Sequence, residues 1–142
     1  MGLRLPVGGI TVLLGPAAAR AATMAALDDD SARCGADQEQ LPVLRLSGRP
    51  ADGVQQRLTA VDQARTSRAS LVLVDRLTDG LAARDRRAVL SALAGVAAPG
   101  RAVLVDDDDP VAALAVADGA LRTGTFAFEA VPDPAALERL AS

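Results

Sequence analysis

The sequence predicts an α/β fold with a mainly parallel sheet, and three observations predict it. Short, apolar runs recur at 10–14, 71–74 and 102–105, and such runs suit strands buried on both faces. Between them lie Ala-, Leu- and Arg-rich stretches with helical spacing of their apolar residues. The apolar half of the chain is mostly Ala, Leu and Val, with two Phe as its only aromatics. Side chains this small fill tightly layered helices and strands better than a sandwich. The 142 residues imply one domain, 1–142.

Taken in order, residues 3–5 form a short strand and Gly8-Gly9 a turn. The run 10–14 is a buried strand closed by Gly15-Pro16, and 17–27 is a helix by propensity. Asp28-Asp29-Asp30 has the wrong sign for a helix C-terminus and stops that helix by Leu27. Residues 31–40 are polar and read as a loop. A strand at 43–46 follows, then a helix over 51–65, with Val54, Leu58 and Val61 on one face. The strand 71–74 leads to a helix over 83–97, and 102–105 is the third buried strand. Asp109-Pro110 supplies an N-cap and a first-turn proline for a helix to about 117. Strands at 120–122 and 126–128 and a helix from Asp133-Pro134 to 140 complete the chain.

Absent residues restrict the chemistry. There is no His, Lys, Trp or Tyr, so all 15 basic residues are Arg. Histidine acid–base work, histidine metal ligation and lysine Schiff bases are excluded. Cys34 is alone, which rules out an internal disulfide and a cysteine-cluster zinc site. A net charge of −3 and a pI near 4.8 argue against nucleic acid as a partner. No stretch approaches the roughly 20 apolar residues of a direct membrane span. Arg4, the apolar run 7–14 and Ala17-Ala18-Ala19 also fit a secretory leader, but Gly8-Gly9 interrupts that run and favours strand, turn and loop.

Three motifs sit at the strand ends. The first, Gly15-Pro16-Ala17-Ala18-Ala19-Arg20-Ala21-Ala22-Thr23, lies between a strand and a helix. It resembles the P-loop G-P-N-G-A-G-K-S-T of the ABC-type ATP-binding cassettes. A P-loop needs Gly for close approach of the backbone to phosphate, Lys for the β- and γ-phosphates and Ser/Thr for magnesium. Here Ala21 and Ala22 hold the Lys and Ser positions. The second, Leu71 to Ala82, resembles the family's hydrophobic strand followed by D-E-P-T-S-G-L-D. Asp75 matches the magnesium-associated aspartate, Arg76 replaces the catalytic Glu, and Ala82 replaces the last Asp. The third, Gly100 to Pro110, resembles the strand before S-T-H-D-P, with Asp108 in the place of the switch histidine. The run from Ala112 to Asp118 resembles the family's A-L-x-L-A-D. Upstream, Gly53-Val54-Gln55-Gln56-Arg57-Leu58 resembles the end of its signature, with Ala51 and Asp52 replacing the Ser and first Gly.

The resemblance covers residues 3–30 and 50–122. It implies a three-layer P-loop NTPase-like domain whose helical subdomain has been lost, since only 31–50 separates the first helix from the signature remnant. It also implies a pseudo-ATPase, with no catalytic residue, no cofactor expected and a protein partner, either an intact ABC ATPase subunit or a membrane permease. Such a protein is cytoplasmic, or peripheral at the membrane through that partner. One alternative is residual binding of ATP and Mg²⁺, with Gly15 and the helix N-terminus on phosphate, Arg20 replacing part of the lysine charge, and Thr23 and Asp75 on magnesium. Another is a metal-dependent hydrolase using Asp75, Asp106, Asp107 and Asp108 as oxygen ligands, against which stands a plain solvated acidic loop. Those carboxylates are expected to gather at the carboxyl edge of the sheet, where they would repel a triphosphate unless a cation intervenes.

Overall fold

A computed structural model describes residues 5–27, 33–34, 39–40, 42–123 and 128–130. Each apolar run becomes a strand, named in chain order: β1 (Ile10–Leu14), β4 (Val43–Ser47), β5 (Leu71–Asp75), β6 (Ala102–Asp106) and β7 (Gly119–Arg122). These five form a parallel sheet in the order β4-β5-β6-β1-β7, and β8 (Phe128–Ala130) adds antiparallel to β7. Along β5, Val72 and Val74 face one side and Leu73 the other, and β6 repeats this with Val103, Val105 and Leu104. Both faces are therefore buried.

Helices cover the two faces unequally. Helix α1 (Ala17–Ala26) lays Met24 against Leu13, Leu73, Leu104 and Leu121. Helices α2 (Val54–Thr66), α3 (Ala83–Ala92) and α4 (Pro110–Leu114) cover the opposite face, contributing Val61, Ala64, Val89, Leu90 and Ala113. The result is a three-layer α/β arrangement. Burying each Leu or Val side chain in it is worth about 1.5–3 kcal/mol. Among the described residues no helix is long and apolar enough to cross a membrane.

The local signals act as their chemistry requires. Asp109 accepts the Ala112 N–H at 3.1 Å and caps α4, with Pro110 in the first turn. Gln56 accepts the Gly53 N–H at 2.9 Å at the start of α2. Several sequence expectations need correction. Residues 31–40 are not all loop, because β2 (Arg33–Cys34) pairs antiparallel with β3 (Glu39–Gln40). Helix α3 gives way to a 3₁₀ turn (Leu93–Gly95), and α4 stops at Leu114. Of the strand expected at 126–128, Phe128 is in β8, which continues to Ala130 through its pairing with Gly119–Leu121, and 126 and 127 lie outside the described residues. Leu5 is not in a strand. The remainder of the 3–5 strand and the helix from Asp133 lie outside the described residues.

Candidate functional site

Strand β1 is central in the sheet, with β6 on one side and β7 on the other. The helix after β1 (α1) packs on one face and the helix after its neighbour β6 (α4) on the other, so the connections diverge between the carboxyl ends of β1 and β6, where ligands collect in open α/β sheets. The loop here is Gly15-Pro16, and α1 begins directly after it. Gly15 has φ +131°, and a Cβ there would lie 2.0 Å from the Thr123 Oγ1. Thr123, just past β7, is held by its N–H to the Leu14 carbonyl at 2.9 Å. The loop is therefore closed on its β7 side by a side chain of this protein.

Arg20 fills the other side. Helical side chains lean toward the helix N-terminus, so its guanidinium reaches back over the first turn. Its Nε donates to the Gly15 carbonyl at 3.0 Å, and its Nη1 to the Asp107 carbonyl at 2.8 Å and to Asp106 Oδ1. Nη2 lies 3.5 Å from Asp108 Oδ1. Arg20 and Asp106 are 9% and 1% exposed, so this is a buried ion pair. Ala21 and Ala22 point outward as exposed methyl groups. Thr23 donates its hydroxyl to the Ala19 carbonyl one turn back, at 3.0 Å.

The other carboxylates stand at the same edge, each with its own partners. Asp75 pairs in register with Asp106 across β5 and β6. Its Oδ2 meets Arg45 Nη1 at 3.2 Å, and Arg45 also donates to the Met24 carbonyl at 3.0 Å, capping the end of α1. Asp107 is buried and accepts from Thr78 Oγ1 at 2.5 Å, Arg86 Nη1 at 3.1 Å and the Asp109 N–H at 2.9 Å. Arg76 sits beside Asp75 at 3.7 Å with φ +52°, a conformation that costs a residue with a side chain about 1 kcal/mol or more. The carboxylates expected to gather at this edge are thus met by guanidinium groups. Among the described residues no three carboxylates or thiolates converge as a metal-ligating group.

No family model matches the sequence, and no curated protein is similar to it in sequence. Solved structures are similar in fold. One is CbiO1 of Clostridium perfringens, part of the ABC transporter complex CbiONQ, with a TM-score of 0.58 and 11% identity, covering 97% of this chain and 83% of that one. Another is a nucleotide-free ATP-binding cassette from an ABC transporter, with a TM-score of 0.60 and 8% identity, covering 94% and 88%. The chain has the fold of an ABC-transporter ATP-binding cassette.

Within this cassette fold the P-loop remnant, the Asp75 strand end and the Asp106–Asp109 turn meet, as the motif order implied. Sequence reasoning assigned no role to the side chains bonded to these carboxylates, Arg45, Thr78 and Arg86, nor to Arg57, which joins the 49–52 segment to the 77–79 loop beside them. Arg57 is 2% exposed in α2. It donates to the carbonyls of Leu77, Arg49 and Asp52 at 3.0 Å each, and to that of Asp79. One signal for it existed, because Arg57 falls on the same helical stripe as Val54, Leu58 and Val61.

Two carboxyls have their pKa raised from the ordinary value. For Asp106 burial is the main cause; Arg20 opposes it, and Asp75 and Asp108 add to it. For Asp79 burial leads, with the charges of Asp108 and Asp107 adding and Arg76 opposing. Asp79 Oδ1 is buried without a hydrogen-bond partner. A raised folded pKa means that the proton favours the fold. That contribution is complete below the unfolded value, near 3.9, and is lost as pH rises through the folded value. Asp79→Asn should therefore melt higher than wild type at neutral pH, with the gap narrowing toward pH 4 as the wild-type carboxyl takes up its proton. Thermal melts across that range check this; a lower melting point for the variant at neutral pH contradicts it.

Proposed function

We propose that this cassette-like protein works by binding protein partners, as an interaction or regulatory subunit, and does not hydrolyse ATP. The observation that carries the proposal is the engagement of Arg20. The only basic side chain of the P-loop remnant is turned inward onto Asp106, Asp107 and the Gly15 carbonyl, and is not free to meet a phosphate.

The residues present do not fit a magnesium triphosphate. The ammonium and hydroxyl positions are the methyl groups of Ala21 and Ala22. Thr123 crowds the glycine of the loop. Arg76 stands in place of the activating carboxylate and Asp108 in place of the switch histidine. Phosphoryl transfer rests on positioning and electrostatic stabilisation, and each such group is typically worth about 10²–10⁴-fold in rate. The cations at this edge are already matched to carboxylates, which weighs equally against the metal-hydrolase alternative. Support for an ABC-type partner comes from the fold and from CbiO1, itself part of a larger transporter complex.

Restoring single residues should not restore activity. Ala21→Lys, Arg76→Glu and Asp108→His together return the family's phosphate ligand, catalytic carboxylate and switch residue. The loop is still closed by Thr123, Arg20 still occupies it, and the 31–50 segment is too short to supply the family's glutamine loop or helical subdomain. A phosphate-release assay should find the triple variant no faster than the starting protein. Clear magnesium-dependent turnover by the variant would mean that the scaffold is competent and that a few point losses had been taken for a change of role.

A further inference from the structure

We draw no further inference here: the strongest candidate, the apolar groove between α2 and the end of α3 lined by Leu58, Val61, Ala92 and Gly95 and flanked by Asp62 and Arg65, carries nothing because nothing in the structure shows what covers it.

Discussion

Arg57→Ala should lower stability by about 3 kcal/mol or more, a large share of what a domain of this size possesses. The guanidinium is buried and donates to four carbonyls, two in the 49–52 segment before α2 and two in the loop after β5. Each hydrogen bond to a charged group contributes about 1.5–3 kcal/mol, though four on one side chain do not add independently. Removing it leaves those carbonyls under-satisfied and opens a void beneath Gly48, where a Cβ would already lie 2.7 Å from the Leu77 carbonyl and 3.0 Å from Arg57 Nη1. The melting point should fall by roughly 10 °C. Arg57→Lys should recover little, since an ammonium cannot span both segments. Urea denaturation and thermal melts measure this, and an alanine variant within about 0.5 kcal/mol of wild type would mean that the loops are held by something else.

Gly15→Ala is expected to cost about 2–3 kcal/mol, from two separable causes. The first is steric: the new methyl group would lie 2.0 Å from Thr123 Oγ1. The second is the backbone, since φ +131° is poorly accessible to any residue with a Cβ. Thr123→Ala in the same chain removes the first cause and leaves the second. The double variant should thus be more stable than Gly15→Ala alone and less stable than Thr123→Ala alone. Equal stabilities for the double variant and Thr123→Ala would show that the backbone strain is not real.

The sheet was legible because each buried strand writes itself as a run of branched residues. Residues 10–14, 71–74 and 102–105 could hardly be anything else, and Asp109-Pro110 announces its helix through capping chemistry. Strand order was not legible, because nothing local states that β6 lies between β5 and β1. The site was half legible for the same reason. Asp75 and Asp106 to Asp108 could be placed at the carboxyl edge, since each follows a strand. Their partners could not: Arg45 lies 30 residues from Asp75, and Arg20 lies 86 from Asp106. Those pairings exist only once the sheet is assembled. This is why the run of four aspartates suggested an edge that repels phosphate, and not the arginines that compensate it in the folded protein. The short pairing of β2 with β3 and the continuation of β8 to Ala130 were missed because two- and three-residue strands carry no periodicity.

Calorimetric titration of the wild-type chain with ATP and Mg²⁺ tests most directly whether this cassette fold serves nucleotide. With Arg20 committed to Asp106, and Ala21 and Ala22 in place of the phosphate and magnesium ligands, the account predicts no saturable heat at ligand concentrations up to the millimolar range. A dissociation constant below about 10 µM, close to −6.8 kcal/mol, would contradict it and make the chain a nucleotide-binding subunit.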